Sequence, residues 1–432
     1  MNAIQHLKKV FMFGIGVKRW ILLLFGGIGM TALGLALGLL KFFLVTDTAF
    51  AFGIIEILII FAAGISLVGV AVVGLSGTLL APYRRHQPGS IVDAVYTHSR
   101  RQKGIKVVAI GGGTGLPASL RGLKSVTNNI TAVVTVADDG GSSGRLRREM
   151  GVLPPGDLRN NIAALADDES LMTRLFQYRF STGDLNGHAF GNLFISALSG
   201  VTGSLETALI ETERVLNIQG RVLPSTMTDV NLAAEIYLPS EGRTVTVEGE
   251  SSISDLGGQI QRIWLMPEKV AAYQGAVRAI LDADLIVIGP GSLYTSIIPN
   301  LLVREITEAL RATNAYKVYV CNIAQQPGET DDYTVAEHVF ALERHIGRGV
   351  FQAVIANNVY LSGEGENRNT LYVLPAPEHH EILQRYDVYY TDLIDVQRPW
   401  RHDPEKLGCA IMTVSESERK RVALIKPALA TS

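Results

Sequence analysis

The segment KVVAIGGGTGLPASL, Lys106 to Leu120, joins a short apolar run to a glycine-rich turn and then to a proline. An unbroken apolar run of this length has no wet face, so it reads as a strand covered on both sides. Glycine permits positive φ and close backbone approach, and Pro117 suits the first turn of a helix. The unit is therefore strand, tight turn, helix, with the positive end of the helix facing whatever lies above the strand.

The same alternation recurs along the chain. TAVVTVA (Thr131–Ala137), ADLIVIG (Ala283–Gly289), YKVYVCN (Tyr316–Asn322) and FQAVIAN (Phe351–Asn357) are short apolar runs with helical stretches before or between them. They predict an α/β domain: a doubly wound, Rossmann-like, mostly parallel sheet. Asp157–Leu216 shows apolar residues three and four apart, which predicts a helical insertion. AAEIYLP and RTVTVEGE, just beyond it, read as a small β-excursion.

The N-terminus is of another kind. Trp20–Val45 and Phe52–Leu80 are apolar for long enough to cross a hydrocarbon layer of about 30 Å. A second span so soon after the first argues against a signal peptide and for a two-helix transmembrane hairpin. Lys8, Lys9, Lys18 and Arg19 precede it, and Arg84, Arg85, Arg100, Arg101, Lys103 and Lys106 follow it. The positive-inside rule then puts both termini in the cytoplasm, the protein in the cytoplasmic membrane. The expected organisation is a hairpin over 1–81, a basic cytoplasmic linker over 82–104, and a nucleotide-binding domain over 105–432. Glu56 reads as interfacial or as a functional intramembrane acid, and Gly34 with Gly38 forms one GxxxG.

Composition excludes several classes. Only two cysteines are present, Cys321 and Cys409, far apart, against a disulfide framework or zinc site. The net charge of −2 gives no sign of nucleic acid. No GxSxG, HExxH or Walker loop occurs, and His379 and His380 have no partner at metal-ligand spacing.

Ligands of a doubly wound sheet bind beyond the carboxyl ends of its strands. After the first strand come Gly111, Gly112, Gly113, Thr114 and Gly115, where a side chain at Gly113 is expected to block a ligand at little cost in stability. After the second come Asp138, Asp139, Gly140, Gly141, Ser142, Ser143 and Arg145, read as a loop whose amides and hydroxyls cradle phosphate. Asp138 and Asp139 suit a ribose or a hydrated Mg²⁺. Gly289, Gly291, Ser292 and Tyr294 follow a third strand, and Asn322 ends a fourth. Asp157 and Asn160 in PPGDLRNN, His188 and Asn192 in GHAFGN, and Asn322 would line a substrate side, with helix capping the alternative for Asp157 and His188. No catalytic residue emerges from this reading.

Taken in order, KVVAIGGGTG, TVADDGGSSGRLR, PPGDLRN, FQYRF, GHAFGNLF, GRVLPST, IGPGSLYTSIIPNLL and CNIAQQPGETDDYTVAEHV resemble the CofD-like superfamily, and within it the gluconeogenesis-factor (YvcK-like) branch. The resemblance runs from Lys106 to the C-terminal region. It implies a Rossmann-like protein with a UDP-sugar ligand of the UDP-N-acetylglucosamine type, needed for cell shape and growth on gluconeogenic carbon. The superfamily's other branch implies an alternative, a 2-phospho-L-lactate transferase making a deazaflavin precursor. The hairpin lies outside the shared region. An NAD-dependent dehydrogenase fits the first loop only, and homo-oligomerisation is left open.

Overall fold

The structure is a computed structural model that describes residues 17–43, 53–84, 104–166, 170–361 and 371–429. The chain divides into two compact units, Met1–Thr97 and His98–Ser432.

The first unit holds two helices, α1 (Val17–Phe43) and α2 (Ile54–Arg84). Small residues make their seam. A Cβ on Gly27 would lie 2.8 Å from the Val68 amide nitrogen, one on Gly34 2.9 Å from that of Phe61, and one on Gly64 2.5 Å from that of Thr31. Gly34 is thus in the seam, but Gly38 meets Ile57 only at an ordinary 3.8 Å, so the contact runs through Gly27, Gly34 and Gly64, not the expected Gly34–Gly38 pair. Large apolar side chains point outward, with Phe25 68%, Ile55 74% and Val73 74% exposed. Arg19–Phe43 and Ile54–Ser76 are long and apolar enough to cross a membrane. The Glu56 carboxylate accepts the Gly53 amide at 2.6 Å and so serves the first turn of α2. Lys8, Lys9, Arg85, Arg100, Arg101, Lys103 and most of the expected linker lie outside the described residues.

The second unit is built on a seven-stranded sheet of β1 (Val107–Gly111), β2 (Ile130–Val134), β3 (Arg221–Pro224), β7 (Leu285–Ile288), β8 (Tyr316–Val320), β9 (Ala353–Asn357) and β10 (Asp387–Thr391). Its order is β10-β9-β8-β7-β1-β2-β3, every neighbouring pair parallel. β1, β7 and β9 are buried at every residue. Helices α3 (Leu116–Leu123), α4 (Gly141–Met150), α5 (Gly156–Leu165), α6 (Leu171–Gln177), α7 (Phe190–Thr202) and α8 (Leu205–Leu216) follow β1 and β2. The doubly wound sheet and helical insertion match the sequence reading. The excursion is a three-stranded antiparallel sheet, β4 (Asn231–Leu238) between β5 (Arg243–Glu248) and β6 (Gln259–Met266), with α9 (Glu250–Leu256) between β5 and β6.

The chain winds outward from β1 in both directions, through β2 and β3 on one side and β7 to β10 on the other. The switch point is therefore between β1 and β7, and the crevice above their carboxyl ends is where this architecture holds a ligand.

Candidate functional site

The turn after β1 is filled by the protein itself. A Cβ on Gly112 would lie 2.5 Å from Asp157 Oδ2, one on Gly113 3.0 Å from Ser296 Oγ, and one on Gly115 2.7 Å from the Gly291 Cα. Gly113 also has φ +60°, where a side chain is strained. The expectation that a side chain at Gly113 costs little stability is thereby corrected. Of this turn only Thr114 is fully exposed.

After β2 the structure departs from the expected loop: Gly141–Met150 is a helix. Its glycines make this possible, since a side chain at Gly144 would collide with the Asp139 carbonyl, and Gly140 is the extended residue before the first turn. Leu146 is buried, and Arg147 pairs with Asp229 at 2.7 Å. Ser142 and Ser143 are buried in the first turn, so the anion-favouring end of α4 lies at the carboxyl edge of the sheet. Asp138 Oδ1 accepts the Gly140 amide at 2.9 Å. Asp139 turns elsewhere, its Oδ1 accepting the Ser251 amide at 2.9 Å and the Ser251 hydroxyl at 2.8 Å. The two carboxylates take different partners. Among the described residues no three His, Cys, Asp or Glu side chains are grouped to hold a metal ion.

The turns after β7 and β8 are clasped together. Asn322 accepts the Gly291 amide at 3.1 Å and donates to its carbonyl at 2.8 Å, so this side chain positions backbone. Ser292 is half-buried, and its carbonyl accepts the Ser296 and Ile297 amides. Gly289 needs its φ of +83° where it passes the Val320 carbonyl. Tyr294 is fully buried and bonds the Tyr333 hydroxyl at 2.8 Å, so it belongs to the core and does not face the crevice. Its neighbour Thr295 and, from α9, Ser254 donate to Glu329 Oε1 at 3.1 and 3.0 Å.

Asp157 sits under the first turn. The Gly113 amide donates to its carboxyl, yet burial, with Asp138 adding like charge, pushes it up to about 7. Glu250, at the start of α9, is raised by burial and then by Asp138, Asp157, Asp139 and Glu329. Burial likewise raises Glu329. Glu250 and Glu329 were not singled out from the sequence. Glu329 stood inside a noted motif, QQPGETDD, but Glu250 closes the RTVTVEGE run read as strand-like and gave no signal.

Ser142 gathers the other half of the site. Its hydroxyl lies 3.1 Å from His188 Nδ1 and accepts Asn192 Nδ2 at 3.0 Å. Burial, then Arg145, lowers the His188 pKa, which favours neutral imidazole. Asn160 accepts Arg159 at 2.6 Å, and Arg145 donates to the Asn186 carbonyl at 2.8 Å. The expected substrate-side residues His188 and Asn192 are thus brought to the α4 end, and Asp157 to the β1 turn.

Two surface depressions, of about 550 and 300 Å³, open at the amino end of the sheet: one beside Gln352 and Asp387, the other beside Lys106, Ile130 and Arg221. Neither holds the perturbed carboxyls, and the crevice at the switch point is the better candidate because buried polar groups converge there.

The fold is shared with known proteins. A family model described as 2-phospho-L-lactate transferase CofD matches residues 107–408. The gluconeogenesis factor of Bacillus subtilis is 50% identical over 254 residues, 59% of this chain and 78% of that protein. That of Halalkalibacterium halodurans is 47% identical over 257 residues, again 59% and 78%. A crystal structure of a UPF0052 family member from Bacillus halodurans superposes with a TM-score of 0.66 at 40% identity, covering 71% of this chain and 99% of that one. The chain belongs to the CofD family, among its gluconeogenesis-factor relatives.

Proposed function

We propose that this protein is a membrane-anchored gluconeogenesis-factor protein that binds a nucleotide-sugar of the UDP-N-acetylglucosamine type. Through that ligand it supports cell shape and envelope synthesis during gluconeogenic growth. The observation that carries the reading is the convergence of the turns after β1, β2, β7 and β8 on one switch point, with the α4 amino end among them. In this reading the Gly140–Ser143 end receives the diphosphate, by amides and helix dipole. Asp138, whose Oδ1 accepts the Gly140 amide, takes a ribose hydroxyl. Asn322 and Gly291 hold the opposite wall in register. The glycine seam and outward apolar side chains of α1 and α2 support a membrane anchor, because lipid solvates large side chains and packing favours small ones.

The test is calorimetric titration of the detergent-solubilised chain with UDP-N-acetylglucosamine, GDP and NAD. Saturable binding of the UDP-sugar supports the reading. Binding of NAD alone returns the dehydrogenase, which the convergence of four turns disfavours.

A transferase reading has one observation of its own, the match to a family model described as 2-phospho-L-lactate transferase. Phospholactyl transfer to a deazaflavin acceptor by the purified chain would establish it. As Asp138 and Asp139 take different partners, no step through Mg²⁺ is drawn from them.

A further inference from the structure

Most arginines of the second unit that carry a side-chain bond are neutralised by a carboxylate. Arg147 pairs with Asp229, Arg243 with Glu241, Arg304 with Glu308 and Arg385 with Glu343. Arg145, Arg159 and Arg179, like Arg311 and Arg344, donate to neutral oxygen instead. Arg145 and Arg179 meet on one short loop, donating to the Asn186 carbonyl at 2.8 Å and to the adjoining Gly187 carbonyl at 2.6 Å; Arg159, near enough to Arg179 to feel its charge, donates to Asn160 Oδ1 at 2.6 Å, and among the described residues none of the three is paired with a carboxylate. Arg159 is the most enclosed. Its stem lies against Gly191, and its buried Nε has no partner.

Like charges with no carboxylate paired to them among the described residues repel, and a buried charge left unpaired is costly. The electrostatics carry that mark, since burial and then Arg179 lower the Arg159 pKa. The charges of Asp157 and Asp138 reach Arg159 without forming an ion pair, and Asp157 is itself pushed up to about 7, so it is a weak counterion at neutral pH. Glu149 and His188 complete the surroundings, His188 being held toward its neutral form. A set of guanidinium forks with donors to spare is the arrangement that recognises phosphate or carboxylate.

We propose that Arg145, Arg159 and Arg179 form an oxyanion subsite that receives a second acidic group, a phosphate or a carboxylate, carried by the ligand apart from its diphosphate. The site then holds acidic nucleotide-sugars, those whose sugar bears a carboxylate or phosphate, more tightly than neutral ones such as UDP-N-acetylglucosamine. The oxyanion subsite stands on the arginines alone, while its link to a nucleotide-sugar rests on the reading above.

The experiment titrates the full-length, detergent-solubilised chain with inorganic phosphate, UDP-N-acetylglucosamine and UDP-glucuronate, for the parent and for Arg159→Gln and Arg179→Gln. Arg179 is exposed, so its variant folds even if the more enclosed Arg159 proves necessary for folding. We expect saturable phosphate binding in the parent, and UDP-glucuronate bound more tightly than UDP-N-acetylglucosamine. Each substitution should weaken phosphate and UDP-glucuronate by roughly ten- to a hundredfold while leaving UDP-N-acetylglucosamine within about threefold. Phosphate binding that Arg179→Gln weakens, with no UDP-sugar bound, keeps the subsite and refutes the nucleotide-sugar reading. UDP-N-acetylglucosamine bound as tightly as UDP-glucuronate, with phosphate unbound or bound equally by the Arg179→Gln variant, overturns the subsite and leaves that reading standing.

Discussion

Asp157→Asn separates a carboxyl kept for a ligand from one kept for the fold. Burial, and then the charge of Asp138, push this carboxyl from the usual 3.8 up to about 7. Between those values the folded chain holds a proton that the unfolded chain has released, so stability falls as pH rises through this window and stays lower above it. At 1.36 kcal/mol per pH unit, the interval corresponds to a ceiling of about 4 kcal/mol. Asp157 is half-buried, so solvent reduces the figure, and roughly 1–2 kcal/mol of it should develop between pH 5 and pH 8.5, most of it below about pH 7.5. Asparagine keeps an oxygen for the Gly113 amide and carries no charge. In urea unfolding of a fragment lacking the residues before Pro82, Asp157→Asn should therefore be more stable than the parent, by an amount that grows across that pH range. An advantage that does not change with pH, or a loss at pH 8.5, would refute the reasoning. A variant that is more stable but binds the nucleotide-sugar less well would mark Asp157 as a group retained for function at a cost to stability.

Gly113→Val should lower the melting temperature sharply, because it forces a branched residue to φ +60° against Ser296; scanning calorimetry checks this, and an unchanged transition would show that the turn is not tight. Asp139→Asn should destabilise the fold by about 1–3 kcal/mol through the lost charge-assisted bonds to Ser251, with a smaller effect on ligand affinity, as paired unfolding and titration would show. Removing the residues before Pro82 should leave a soluble, cooperatively unfolding protein, since the parallel sheet closes its own core; aggregation or a non-cooperative melt would contradict this. Gly64→Leu should disrupt the α1–α2 pair where a side chain meets Thr31, seen as loss of protease protection in membranes, whereas Gly38→Leu should be tolerated.

How far the sequence was legible follows from what decides each element. Central strands such as ADLIVIG are buried on both faces, and burial writes itself into composition as continuous apolar residues. Edge strands do not carry that mark. β3 is four residues holding an arginine and a proline, β10 has no fully buried residue at the sheet margin, and both went unrecognised. The segment Gly141–Met150 misled for a sharper reason. Its glycine and serine content reads as loop by propensity, but glycine at position 144 is what lets the helix start beneath the Asp139 carbonyl, a tertiary constraint that overrides propensity. The motif residues were legible as a set, while their roles were not. Tyr294 follows a strand like a ligand residue yet is packed in the core, and Asn322 holds backbone rather than open space. Glu250 arrives from the β-excursion across a long sequence separation, which local pattern cannot reveal.

Amide hydrogen exchange of the full-length chain, with and without UDP-N-acetylglucosamine, tests the central claim most directly. The account predicts that the ligand slows exchange in the turn Gly111–Gly115, at the α4 amino end Gly140–Arg145 and in the turn Gly289–Ser292, with little change at the amino end of the sheet around Lys106 and Gln352. Protection confined to that amino end, or no protection at saturating ligand, would contradict it.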